Sequence, residues 1–179
     1  MGKQYDQITE KHAQFIIHQQ LFFVATSTPE GRINLSPKGH DSLRIVNPNQ
    51  VVWLNLTGSG NETGAHLMQD NRMTLMFCAF EGDPKVLRLY GQATCHHEGS
   101  DEWDAHIGRF PLLPGARQII VMEVESVVSS CGFGIPLYDY VDQREELPAW
   151  AEKKGVKGIR EYWQTRNNRT IDGKSTDFD

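Results

Sequence analysis

The chain has 179 residues, 39 % of them apolar and 23 % charged, with a formal net charge of −5. That length suits one domain with a real core, and the negative balance argues against a general binder of nucleic acid or of an anionic membrane surface. No apolar run nears the roughly 20 residues of a membrane span and the N-terminus lacks a basic-then-apolar leader, so the expectation is no membrane association and a cytoplasmic location.

Cys78, Cys95 and Cys131 are odd in number and far apart, which reads as free thiols. Residues 6–20 place Ile8, Phe15 and Ile16 on one helical face. Residues 21–27 and 32–36 read as a hairpin about Pro29-Glu30-Gly31. Pro37 cannot donate to a ladder, so the second strand should end there, and residues 38–41 should be loop. Residues 43–46 and 51–56 read as strands around Asn47-Pro48-Asn49. A short helix with Leu67 and Met68 follows, and then strands over 73–80 and 86–96.

Ser100 is a candidate cap for a helix over 100–110 that buries Trp103, Ile107 and Phe110, and residues 118–130 form a further strand. Beyond Cys131 the texture changes. A Gly/Pro loop leads to a charged helical segment, 147–164, anchored by Trp150, Val156, Ile159, Tyr162 and Trp163, and then to a polar tail. Six or seven strands joined mostly by short turns predict a mainly β (α+β) fold, an antiparallel barrel or sandwich with peripheral helices. The expected division is 1–135 for the barrel and 136–179 for a C-terminal helical extension, packed on its own barrel or on a partner.

The most informative stretch is Thr57-Gly58-Ser59-Gly60-Asn61-Glu62-Thr63, between a strand and the second helix. Glycines 58 and 60 permit a tight turn, and Ser59 with Glu62 three residues on fits a capping box with Ser59 as N-cap. A helix start of this kind offers orphan N–H groups and a positive dipole end to an anion. The hydroxyls of Thr57, Ser59 and Thr63 and the amide of Asn61 add neutral donors. An ordinary capped helix needs only Ser59; the excess of small polar side chains favours a phosphate.

Other chemistries are less well supplied. The histidines lack metal-ligand spacing, so no metal is expected, and Ser59 lacks the outer spacing of a GxSxG nucleophile. Gly58 to Gly64 with Glu81 imitates a dinucleotide fingerprint, yet hairpin-length turns on either side do not build the parallel sheet that fingerprint requires. Two cations could meet the same anion: Lys38 at a strand end, and Arg88 between Leu87 and Leu89, where a salt bridge is the competing role. Arg166 and Arg169 in the tail read as solvated when taken alone.

With these residues assembled, the chain resembles the FMN-binding split-barrel superfamily, specifically the pyridoxamine 5'-phosphate oxidase-like proteins. The resemblance rests on Phe22-Phe23-Val24-Ala25-Thr26, the segment from Gly31 to Gly39, the segment from Trp53 to Phe80, and Leu87-Arg88-Leu89-Tyr90-Gly91. It continues in the segments 131–136 and 169–173. It implies a homodimer of six-stranded split barrels with FMN bound between subunits. It also implies that Asn61, Glu62 and Thr63 stand where the family holds the phosphate, usually with Ser-Arg-Lys. Ser36, Pro37 and Lys38 would then edge the flavin, Arg88 would be the family's barrel-strand arginine, and Val86 would replace a glutamine used near the ring. Glu62 in place of a cation argues against pyridoxamine-phosphate oxidation itself and assigns Glu62 a capping role.

The function expected is an FMN-dependent oxidoreductase of a small-molecule substrate, with no residue assigned as acid or base. Thr57, Gly58, Ser59, Asn61 and Thr63 would hold the phosphate with Lys38, and Trp163, Arg166 and Arg169 would close the pocket from the tail. The alternatives are a non-catalytic carrier of a flavin, a deazaflavin or haem, and a structural dimer whose site has decayed.

Overall fold

The computed structural model describes residues 2–176 and Phe178. Met1, Asp177 and Asp179, which fall within the expected divisions 1–135 and 136–179, lie outside the described residues. Among these residues eight strands run β1 (Lys3–Tyr5), β2 (Phe22–Thr26), β3 (Asn34–Lys38), β4 (Leu43–Asn47), β5 (Gln50–Leu56), β6 (Arg72–Cys78), β7 (Val86–His96) and β8 (Ala116–Ser130). Among the described residues four α-helices accompany them: α1 (Glu10–Ile17), α2 (Glu62–Leu67), α3 (Asp101–His106) and α4 (Glu146–Arg166). Every pairing is antiparallel, in the order β3-β2-β6-β7-β8-β5-β4 with β1 added to β8. This is the split-barrel fold. The strand count exceeds the expected six or seven because Lys3–Tyr5, too short and polar to announce itself, pairs with Val127–Ser129.

The ladder runs from β3 to β4 without closing. At the split, β3 and β5 do not pair, and the Lys38 side chain reaches across, with Nζ 3.5 Å from Asn55 Oδ1. Pro37 lies inside β3, opposite Phe23, and does not terminate it. An edge strand tolerates a residue without an N–H because one side of its ladder is empty.

Alternation explains which faces are buried. In β2, Phe22, Val24 and Thr26 point inward between half-exposed neighbours. β5 and the first half of β8 are apolar on both faces because both are covered. Val51, Trp53, Ile120 and Met122 fill the barrel, while Val52, Leu54, Ile119 and Val121 pack with Phe110 and Trp103 beneath α3. Val124 and Val127, three residues apart, both reach the barrel interior because the β7–β8 register shifts at Gly91. A Cβ on Gly91 would lie 1.9 Å from the Glu123 carbonyl oxygen, so only glycine fits there.

Two helix starts follow from local chemistry. Thr9 and His12 form a reciprocal cap on α1, and Ser100 Oγ accepts the Trp103 N–H at 3.2 Å at the head of α3. α4 breaks at Gly155 (φ 66°, ψ 169°), which turns the chain so that Trp150 and Tyr162 meet edge to face at 5.0 Å. Its second half is fastened to the barrel by Trp163, whose Nε1 donates to Thr57 Oγ1 at 2.8 Å. Trp163→Phe removes that donor while keeping most of the ring. A loss of about 1 kcal/mol is expected, or a melting point lower by roughly 2–4 °C in a thermal melt.

Candidate functional site

Because side chains alternate along a strand, Asn34, Ser36 and Lys38 of β3 share one face. That face looks across the split into a cavity of about 640 Å³, within the roughly 300–1,000 Å³ of small-molecule sites. Residues 58–63, Asn55, Arg117 and the tail residues Arg169 to Ile171 form the other walls.

Lys38 is the cation at the split. Its ammonium lies 5.1 Å over the Trp53 ring and within reach of the neutral Asn55 amide, and among the described residues it has no carboxylate partner. Burial first, and then the nearby Arg117 guanidinium, lowers its pKa to about 8 from the usual 10.5. Ser36 Oγ, on the same face, is buried without a hydrogen-bond partner. A hydroxyl and an ammonium so placed are complementary to an anionic or acceptor-rich ligand.

Arg117 is 3 % exposed. Nη1 donates to Gly60 O at 3.1 Å and to Asn167 Oδ1 at 2.7 Å, and Asn167 Nδ2 in turn donates to Gly58 O at 3.2 Å. The glycine segment is therefore held by its carbonyls, and the end of α4 is tied to the cavity wall by the same two residues. Neither Gly58 nor Gly60 takes a positive φ. Their role here is to present carbonyls closely to Arg117 and Asn167, not to make a left-handed turn.

The cap expected at Ser59 is displaced. α2 starts at Glu62 with Asn61 as N-cap and no side-chain cap bond. Glu62 does not fold back as a capping residue either: Oε1 accepts the Ile171 N–H at 3.0 Å, so it holds the tail. Asn34 Nδ2 donates to Thr63 Oγ1 at 3.2 Å and lies 3.4 Å from Thr26 Oγ1, itself 3.1 Å from His66 Nδ1. This chain of contacts fixes α2 against β2 and β3. Gly64 is required by the same packing, since a Cβ there would lie 2.7 Å from Asn61 Nδ2 and 2.9 Å from Gln118 Nε2. Gly64→Ala is expected to cost about 1–3 kcal/mol in a denaturant titration, as overpacking does.

The tail is laid across one end of the cavity. Asp172 accepts from the Arg32 backbone N–H at 2.8 Å and pairs with its guanidinium. Lys174 Nζ reaches Thr28 Oγ1 and Gln69 Oε1 at 3.2 and 3.1 Å.

Of the residues expected at the site, Ser36, Lys38, Gly58, Ser59, Asn61, Thr63 and Arg169 line this cavity. Pro37 and Thr57 line an adjoining cavity of about 530 Å³ that shares Lys38 and Gly58 with the first. Thr57 is not a free donor, because its hydroxyl donates to Gly115 O at 2.8 Å and accepts from Trp163. Trp163 is thus a fastener of α4 and not a wall of the main cavity. Arg166 is exposed and lines neither cavity. Arg88 also lies away from both: it projects from the outer face of β7 and donates to Ser130 Oγ at 3.3 Å.

The sequence reading overlooked Arg117, Asn55, Asn34 and Arg32. The signal for Arg117 was a cation at the head of a strand whose segment 119–122 is apolar on both faces. Among the described residues no group of histidine, cysteine and carboxylate side chains could hold a metal ion, and no helix is long and apolar enough to cross a membrane.

Comparison with known proteins gives the following. Residues 8–131 match the model of a family described as pyridoxamine 5'-phosphate oxidase. The chain is 31 % identical over 187 residues to the pyridoxamine 5'-phosphate oxidase family protein ustO of Aspergillus flavus, covering 94 % of this chain and 75 % of that one. Among solved structures it is similar to HupZ from Group A Streptococcus, with TM-score 0.54, 22 % identity, and coverage of 67 % of this chain and 91 % of that one. It is also similar to an FMN-binding protein from Syntrophomonas wolfei, with TM-score 0.50, 13 % identity, and coverage of 68 % and 85 %. The two structural likenesses concern the fold.

Proposed function

We propose, since the chain belongs to the pyridoxamine 5'-phosphate oxidase family, that its split-barrel cavity binds FMN and that the protein is an oxidoreductase of a small-molecule substrate. The observation that carries this reading is the pairing of an ammonium lacking a carboxylate partner, Lys38, with the orphaned buried hydroxyl of Ser36 on one cavity face. FMN fits that donor set, being a flat, acceptor-rich ring joined to a phosphate. When bound, it supplies the capacity to take up and release electrons.

The chain's own residues supply the rest. Lys38 stabilises negative charge at the split. Ser36 donates from the same strand, and Asn61, Thr63 and the glycine segment edge the opposite wall. Arg169 brings a tail cation to the rim. The adjoining cavity leaves room for a substrate beside the ligand. No histidine, cysteine, methionine or tyrosine lines the main cavity among the described residues, which supplies no usual axial ligand for haem.

The same reading includes a homodimer with the cofactor at the subunit boundary. Arg88 projects from an outer sheet face and lines neither cavity of its own chain, so it would meet a flavin only across such a boundary. The purified protein is expected to carry, or to take up on titration, a chromophore with flavin absorption, and reduced nicotinamide dinucleotide should bleach it. A Soret band would transfer the fold to haem. A bound flavin that no reductant bleaches would make the protein a carrier.

A further inference from the structure

A larger cavity, about 820 Å³, opens on the other side of the adjoining one, with which it shares Gln20, Leu21, Tyr140 and Asp142. Its aromatic wall is Phe80, Tyr138 and Tyr140. The Phe80 and Tyr138 rings stand 5.6 Å apart, and the Tyr138 N–H donates to Phe80 O at 3.0 Å, which tethers the loop after β8 to the end of β6. Tyr138 and Tyr140 are 62 % and 45 % exposed, so their faces are open to a ligand.

The charge of this wall is one-sided. Glu81, Asp139 and Asp142 line it, no lysine or arginine does, and none of the three carboxylates has an ion-pair partner among the described residues. Glu81 and Asp142 accept only backbone N–H groups, from Tyr140 at 3.4 Å and Gln143 at 2.7 Å. Uncompensated carboxylates attract a cation by Coulomb's law, and aromatic faces add to that attraction through their quadrupoles. The apolar remainder of the wall, Leu21 and Val141, suits a hydrocarbon body and not a hydrated metal ion.

We propose that this cavity binds a small organic cation with an apolar body, an aromatic or alkyl ammonium, at a site separate from the flavin cavity. Carboxylates and rings converge on one concavity, whose lining includes His18 but no lysine or arginine.

The test is calorimetric titration of the full chain with benzyltrimethylammonium at low salt, with benzyl alcohol and benzoate as neutral and anionic comparators. Saturable binding of the cation below about 1 mM is expected, with no saturation by either comparator. The double variant Glu81→Gln, Asp139→Asn, at residues that line neither the flavin cavity nor the adjoining one, should weaken the cation by roughly tenfold and leave the FMN titration unchanged. Should the double variant melt early, Glu81→Gln and Asp139→Asn singly should each weaken binding by about threefold. Absence of saturation, equal binding of benzyl alcohol, or indifference to the neutralised carboxylates would overturn the proposal and leave the aromatic loop to a contact with a second copy. Failure of FMN binding alone would refute the flavin reading and leave this one standing.

Discussion

Lys38→Met is expected to weaken FMN binding by about 100-fold, the worth of a charge-assisted hydrogen bond of roughly 1.5–3 kcal/mol. The apo protein should lose no stability below pH 8. Methionine keeps the length and the contact with the Trp53 ring, while removing an ammonium that burial and Arg117 hold at a pKa of about 8. The sign of the pH effect follows. Unfolded, the lysine keeps its proton to about pH 10.5; folded, it gives it up from about pH 8. Between those values the unfolded state binds more protons, so this group's contribution to stability rises with pH, and below pH 8 its burial cost is fully present.

Denaturant titrations of apo protein at pH 7 and pH 9.5 should therefore show the parent gaining relative to Lys38→Met at the higher pH. FMN affinity should do the opposite. A dianion favours charged Lys38, so the parent's affinity should fall as pH passes 8 and the variant's should not. A parent and variant that bind FMN equally would place the ligand away from β3.

Arg117→Met should have the largest effect on stability, a loss of about 3–6 kcal/mol from two charge-assisted bonds at roughly 1.5–3 kcal/mol each. The lost partners are Gly60 O and Asn167 Oδ1, and Asn167 is fully buried. The side chain that replaces the guanidinium can satisfy neither. A melting point lower by about 10 °C is expected, from 2–4 °C per kcal/mol for a chain of this size. Hydrogen exchange should quicken selectively over residues 58–60 and 167–176, since Arg117 joins those two segments. A uniform increase across the sheet, or an unchanged melt, would show that the tail is held by other means.

Much of this was legible in the residues. The hairpins announced themselves through Pro29-Glu30-Gly31 and Asn47-Pro48-Asn49, and the Ser100 cap stood where its spacing placed it. Elements that depend on distant partners did not. Lys3–Tyr5 is a strand only because part of β8 is open to it, and Pro37 is tolerated because β3 is an edge strand with one side of its ladder empty. Ser59 lost the cap because Arg117 and Asn167 fix the glycine segment from its carbonyl side, which moves the helix start to Asn61.

The candidate site divides in the same way. Ser36 and Lys38 were named through the family resemblance, but Lys38 was expected in a loop past the strand end, and only the structure places it two residues on from Ser36 within β3. Arg117 was not, because its value lies in contacts to residues 57 and 50 positions away. Arg88, expected to meet the ligand from the barrel strand, lines neither cavity of its own chain, since sequence alternation cannot say which face of a barrel strand belongs to which cavity.

The most direct measurement is an equilibrium titration of apo protein with FMN, followed by quenching of flavin fluorescence, for the parent and Lys38→Met side by side. Saturable quenching is expected for the parent and a curve displaced by about two orders of magnitude for the variant. A parent that leaves flavin fluorescence untouched at tens of micromolar would contradict the proposed cofactor, and coincident curves would contradict its proposed place.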